Sequence, residues 1–297
     1  MKQKVPALAI AALVAVTIIW GAAFVIMKPA IEQEPFWDFL AFRFTIATLA
    51  MIAVRPQVLK AFTPKLLWRG AVLGALLGGS YITQTIALEQ TTAAITGFLT
   101  GLYVVATPIL SLILFRQKTR KRVWIGSFLA LIGLGVISIT GGGIEVAQLW
   151  GVACALLFAG HIVLMGKWSP GLNSYALTVV QLGFIAIVMW FGAAPDGIQP
   201  PPNLDVWVAV LFTALLATAF AFFMQTWAQA RMEASRVAVI MTLEVVFTAL
   251  IAVLVGQEVL TLKTVIGGAL IVLAMFIVEW PAKDGLPDPV VVDPMVH

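Results

Sequence analysis

Gln84-Thr85-Ile86-Ala87 and Gln225-Thr226-Trp227-Ala228 lie 141 positions apart, each inside a long apolar run. A side-chain amide in such a run both donates and accepts hydrogen bonds, so it can hold a polar solute or tie two helices together. Ionisable residues occupy similar depth. Glu244 is the costliest of them: an acid at the centre of a membrane helix costs about 2.5–3.5 kcal/mol on insertion scales, which makes it a functional candidate by default. The alternative for Glu244 is a structural hydrogen bond to a neighbouring helix end. His161 can take and release a proton near neutral pH, or it can be a satisfied core histidine. Arg43 lies inside the second apolar run, from which its long side chain could snorkel outward. Lys28 ends the first run and could do the same, or meet an anionic group at the outer mouth.

Hydroxyl groups extend this pattern. Thr96, Thr100, Tyr103, Thr107 and Ser111 recur at helical spacing and form one polar stripe. Thr218, Phe222, Gln225 and Gln229 share a second face, and Tyr81 with Gln84 a third. Polar groups beside aromatics suit a cavity for a small amphipathic solute, while single threonines can equally be satisfied by backbone carbonyls. Other chemistries find no support. Gly141-Gly142-Gly143 lacks the Gly-Lys-Ser/Thr of a phosphate loop, no His/Cys/acid cluster has metal-ligand spacing, and no serine has a base and orienting acid. No cofactor is therefore expected. Cys154 stands alone, which excludes an intramolecular disulfide and reads as a small packing residue.

The elements that must position these groups are membrane helices. Of the 297 residues 61% are hydrophobic and 11% charged, where a soluble domain carries roughly a quarter charged residues. Ten apolar runs fall near 6–28, 37–54, 67–88, 93–115, 122–140, 148–166, 173–191, 205–229, 235–255 and 262–280, each about the 20 residues a spanning helix needs. The first continues too far for a signal peptide and is read as an uncleaved span. With the N-terminus in the cytoplasm, every Lys and Arg except Lys28, Arg43 and Lys263 falls on the inner side. This positive-inside bias places both termini in the cytoplasm. The basic residues form no patch with exposed aromatics, so nucleic acid is not an expected partner. The proline-rich tail 281–297 is expected to be disordered and cytoplasmic.

At the constant offset of 141, Ala93 meets Ala234, Leu102-Tyr103-Val104-Val105 meets Leu243-Glu244-Val245-Val246, Thr107 meets Thr248, Ile125-Gly126 meets Ile266-Gly267, and Leu129 meets Leu270. This predicts a duplicated five-span unit, residues 1–140 and 141–280. An odd-numbered unit ends on the opposite side from its start, so its copy is inverted, and a solute site lies near the midplane between the copies. Gly70-x-x-x-Gly74-x-x-x-Gly78 and Gly97-x-x-x-Gly101 read as close-packing motifs, and Pro108 as a kink or a gating hinge.

Several segments carry a resemblance: Trp20-Gly21-Ala22-Ala23-Phe24, Phe42-Arg43-Phe44, Ala93-Ala94, Leu243-Glu244-Val245-Val246-Phe247 and Gly256-Gln257-Glu258. From Val5 to Trp280 the chain resembles the drug/metabolite transporter superfamily, in its EamA-type group of duplicated five-span units. It departs from that pattern at Val245, where members often have proline, and at Gln117, where the second copy has Glu258. The resemblance implies an all-α integral membrane protein of ten helices in two inverted repeats. It also implies efflux of small solutes across the bacterial inner membrane, as in exporters of aromatic and neutral amino acids, and not an enzyme. The expected cavity set is Trp20, Phe24, Tyr81, Gln84, Thr85, Thr100, Tyr103, His161, Gln181, Phe222, Gln225, Trp227 and Glu244. Its partners are a small-molecule substrate and the lipid bilayer, and a monomer is consistent with this. A uniporter is expected, with a proton antiporter or a broader drug/metabolite exporter as alternatives and a lipid-modifying membrane enzyme as the reading from another class.

Overall fold

The computed structural model describes residues 7–90, 93–117, 119–138, 146–256 and 259–279. The expected disorder of the tail, the triple glycine at 141–143 and Gln257-Glu258 lie outside these residues. The described chain is helical, with no strand among its described residues: α1 (Ala7–Ile31), α2 (Phe36–Val54), α3 (Pro64–Gln90), α4 (Ala93–Gly101), α5 (Tyr103–Phe115), α6 (Lys121–Ser138), α7 (Val146–Trp168), α8 (Ser174–Ala193), α9 (Leu204–Ala214), α10 (Ala221–Gln229), α11 (Ala234–Met241), α12 (Leu243–Leu254) and α13 (Leu262–Glu279). Seven segments are long and apolar enough to cross a membrane, namely α1, α2, α3, α8, Leu149–Trp168, Leu204–Gln229 and Ala234–Leu254, and shorter apolar stretches run over Leu99–Phe115 and Leu262–Val278. The chain is a multi-pass membrane protein.

The solvent of such a molecule is lipid, and side-chain placement follows from that. Leu8, Leu49, Ile113, Phe191 and Leu254 are exposed, whereas Thr17, Ser80, Thr96, Thr107, His161 and Thr218 are fully buried. Several buried hydroxyls bond within their own helices, as in Thr107 Oγ1 to Tyr103 O (2.7 Å) and Thr213 Oγ1 to Ala209 O (2.7 Å), which satisfies them without water. Asn173 and Asn203 start α8 and α9 by accepting from Ala176 N and Val206 N, each at 3.0 Å, which is N-capping.

Small residues set the closest helix approaches. The Gly70, Gly74 and Gly78 face of α3 meets Val180, Gln181, Phe184 and Ile185 of α8. On α1, a Cβ at Gly21 would stand 2.7 Å from Thr248 N, backbone against backbone. Helices α6 and α13 pair through Gly126 and Gly133, which abut Val278, Ala274, Ile271 and the Gly267 carbonyl. The expected Gly97/Gly101 motif is half present: Gly101 abuts Leu134, but nothing lies within 4 Å of a Cβ at Gly97.

Three apolar runs are interrupted. The run 93–115 breaks at Leu102, between α4 and α5, and not at Pro108, which sits inside α5. The amide of Leu102 bonds back three residues to Leu99 O (3.2 Å), a local tightening of the helix. The run 235–255 breaks at Thr242, whose Oγ1 donates to Val239 O at 2.6 Å and competes for that carbonyl. Between α9 and α10, residues Leu215–Phe220 form a π turn.

Helix ends meet at two levels. At one, Arg69 Nη1 donates to Trp168 O (3.2 Å) and Tyr175 Oη to Met51 O (2.6 Å). At the other, Gln199 N donates to Asp38 Oδ1 (3.0 Å) and Asn203 Nδ2 to Gln33 Oε1 (2.9 Å).

Candidate functional site

The three interruptions surround one cavity. It is lined by Trp20, Ala23, Phe24 and Met27 of α1, Arg43 of α2, Tyr81 and Gln84 of α3, Thr100 of α4, Tyr103 of α5, Phe158 of α7, Phe222 of α10, Met241 of α11 and Glu244 of α12. The walls are mainly aromatic and apolar, with a few convergent polar groups, which is the composition of a small-molecule site.

The walls are braced by ring contacts. Trp20 packs on Phe222 at 5.3 Å, and Tyr81 meets Phe44, Phe158 and Phe222 at 5.2, 6.0 and 6.3 Å. Two anchors run to the π turn: Trp20 Nε1 donates to Ala217 O (2.7 Å), and Arg43 Nε donates to Thr218 Oγ1 (2.7 Å). A π turn disturbs the regular carbonyl ladder; Trp20 uses a carbonyl of this turn and Arg43 a side-chain hydroxyl on it.

Arg43 does not snorkel. It is 3% exposed, with Nη1 toward Met27 Sδ (3.6 Å), Nη2 toward Tyr81 Oη (3.3 Å), and its guanidinium 5.0 Å from the Tyr81 ring centre. Packing against two aromatic rings, Phe44 and Tyr81, holds it inward. Glu244 lies in the first turn of α12, where the helix dipole favours a carboxylate. Arg43 and Glu244 thus line one cavity, a guanidinium and a carboxyl group.

Of the expected cavity set, Trp20, Phe24, Tyr81, Gln84, Thr100, Tyr103, Phe222 and Glu244 line it. Five do not. Thr85 Oγ1 bonds Tyr81 O within α3 (2.8 Å). His161 and Gln181 pair with each other, Nε2 to Oε1 at 2.9 Å, between α7 and α8. Gln225 is 1% exposed and its Nε2 reaches Met241 Sδ at 3.7 Å. Trp227 lies near the end of α10, stacked under Arg231 at 4.4 Å. Thr85, His161, Gln225 and Trp227 sit in cavity-lining helices on another face, and Gln181 belongs to α8, which contributes no lining residue. Ala23, Met27, Arg43, Phe158 and Met241 complete the lining. Arg43 carried a signal, a cation within an apolar run; Phe158 carried none. The stripe on α4 and α5 is one buried face as expected, but Thr100 and Tyr103 alone reach the cavity. Among the described residues, no group of three or more His, Cys, Asp or Glu gathers to hold a metal ion.

A helical multi-pass membrane protein with an internal amphipathic cavity is the class that fold and site define. The sequence model of the EamA-like transporter family matches residues 7–139 and again 146–280. An uncharacterized transporter of Archaeoglobus fulgidus is 33% identical over 264 residues, 89% of this chain and 83% of that one. The uncharacterized transporter YetK of Bacillus subtilis is 29% identical over 230 residues, 71% of this chain and 68% of that one. A solved structure, presented as the crystal structure of a protein, shares the fold with a TM-score of 0.79 at 18% identity, covering 91% of this chain and 96% of that one. The chain belongs to the EamA-like transporter family, and it is a membrane transporter.

Proposed function

We propose that the chain is a secondary carrier that exports small amphipathic solutes, aromatic and neutral amino acids foremost, across the bacterial inner membrane. It works by alternating access between two inverted five-span halves. The observation that carries this reading is the make-up of the cavity wall. Tyr81 and Phe222, Thr100 and Met241, and Tyr103 and Glu244 all line it, and each pair is separated by the repeat offset of 141. Equivalent contacts recur at the same offset: Gln84 to Thr100 (3.4 Å) beside Gln225 to Met241 (3.7 Å), and Thr107 to Tyr103 O (2.7 Å) beside Thr248 to Glu244 O (2.8 Å). The double match of the family supports the duplication. Helix pairing supports it too: α1 against α12 has its counterpart in α7 against α4 and α5, and α3 against α7 in α10 against α1. A site between inverted repeats serves both sides of the membrane by rocking one half against the other.

The aromatic walls fit an apolar side chain, and the opposed Arg43 and Glu244 fit a zwitterion. No phosphate loop is present in the sequence, so transport runs down the solute gradient or is coupled to an ion. We favour uniport. Proton antiport is the second reading, because Glu244, a protonatable group, lines the cavity. Purified protein in proteoliposomes should show saturable, counterflow-sensitive flux of an amino acid at zero potential without a pH gradient. Uphill flux driven by an imposed pH gradient and lost in Glu244→Gln defeats uniport. Flux confined to non-amino-acid drugs or metabolites moves the substrate to the broader exporter reading.

A further inference from the structure

We infer that Arg43 is the anion-recognition residue of the cavity and takes the carboxylate of the transported solute. This rests on the export reading above and names the residue that sets its substrate chemistry. A guanidinium carries five N–H donors in a planar fork that matches a carboxylate in bidentate fashion. Arg43 spends them poorly on the protein. Its short bond goes through Nε to the neutral Thr218 hydroxyl (2.7 Å), while its terminal nitrogens meet a thioether at 3.6 Å and a phenol at 3.3 Å. None of these partners is an anion, yet the residue is 3% exposed. A buried cation with no anion in hydrogen-bond contact is costly, and the side of Arg43 that faces open space is the cavity wall, with Glu244 elsewhere in the same lining. The Nε bond to the π turn and the Tyr81 and Phe44 rings fix the guanidinium in place, leaving the Nη edge to receive an anion.

The competing account is that Arg43 exists to balance Glu244, which lines the same cavity. The two accounts separate in proteoliposome counterflow with L-phenylalanine and L-phenylalaninamide as probes, identical but for the carboxylate. The wild type should take phenylalanine with the lower KM. Arg43→Gln should raise that KM about tenfold or more, the loss expected for a charge-assisted hydrogen bond, and leave the amide unaffected. Thr218→Val keeps the charge but removes its anchor, and should raise the phenylalanine KM several-fold, a test that survives if Arg43→Gln does not fold. The double variant Arg43→Gln/Glu244→Gln should be at least as impaired as Arg43→Gln. Recovery of phenylalanine flux in the double variant overturns the inference in favour of charge balance. Equal wild-type KM for both probes overturns it while the export reading stands. Saturable flux of neither probe in the wild type overturns the amino-acid export reading and this inference with it.

Discussion

Gln84 and Gln225 occupy repeat-equivalent positions in different surroundings. Gln84 faces the cavity and its Nε2 reaches Thr100 at 3.4 Å, a long and weak bond. Gln225 is fully enclosed, and its Oε1 has no hydrogen-bond partner among the described residues. Gln84→Leu should therefore leave the melting temperature in detergent nearly unchanged and raise KM several-fold. Gln225→Leu removes an unsatisfied acceptor, whose burial costs about 1–3 kcal/mol, and should be as stable as the wild type or more so, with KM little changed. Equal transport defects in the two variants would refute this assignment. The polar residues were legible because each is costly in an apolar run. Their targets were less so: the His161–Gln181 pair has the same sequence signature as a cavity pair, since one face of a buried helix looks like another in sequence. Between α1 and α2, Glu34 is buried beside Asp38, and neither carboxylate oxygen has a hydrogen-bond partner among the described residues. Burial, then the Asp38 charge, raises its pKa from 4.5 to about 7. Between those values the unfolded chain releases a proton that the folded chain keeps, so stability falls as pH rises and levels off above about 7. Melting curves from acid to neutral pH should show that slope in the wild type and a flatter profile in Glu34→Gln.

Helices as units were readable almost to their ends, because a run of about 20 apolar residues has few alternatives in a bilayer. The interruptions were not. Pro108 drew attention as the expected irregularity, yet the breaks fall at Leu102 and Thr242, where no proline stands and local carbonyl competition decides. The glycine motifs were half legible, since a glycine's spacing does not say whether a helix lies opposite. That difference is measurable. Gly21→Ala drives a methyl group into the backbone at Phe247 and Thr248, and should destabilise by about 1–3 kcal/mol, the usual cost of overpacking. Gly97→Ala meets open space and should be neutral, or stabilise by up to about 1 kcal/mol through helix propensity. Thermal melts of both in detergent decide it; a Gly21→Ala melt equal to wild type would mean that α1 and α12 are not locked by backbone contact.

For the whole molecule, the charge asymmetry of the sequence proposes cytoplasmic termini, an orientation that labelling tests. Arg69, Trp168, Met51 and Tyr175 gather at one level, and Gln33, Asp38, Gln199 and Asn203 at the other. In a Cys154→Ser background, Glu32→Cys should react with an impermeant maleimide on intact cells. Gln117→Cys should react only after permeabilisation. External labelling at position 117 would invert the proposed orientation and, with it, the direction assigned to the two mouths of the cavity.

The π turn at Leu215–Phe220 also records a history. On the duplicated reading, the offset of 141 holds on its C-terminal side, at Tyr81/Phe222 and Gln84/Gln225. On its N-terminal side the enclosed positions Leu66, Gly70, Leu73 and Gly74 instead match the enclosed Val206, Val210, Thr213 and Ala214, one residue closer, and within the turn Leu77 still matches Ala217 at that shorter offset. A π turn is what an α-helix becomes when it absorbs one extra residue without rotating its flanks. On that reading the second copy is one residue longer than the first at the carbonyl and hydroxyl that hold Trp20 and Arg43. On that reading the two halves differ by one residue at this turn, and the longer one supplies the hydroxyl that grips the arginine.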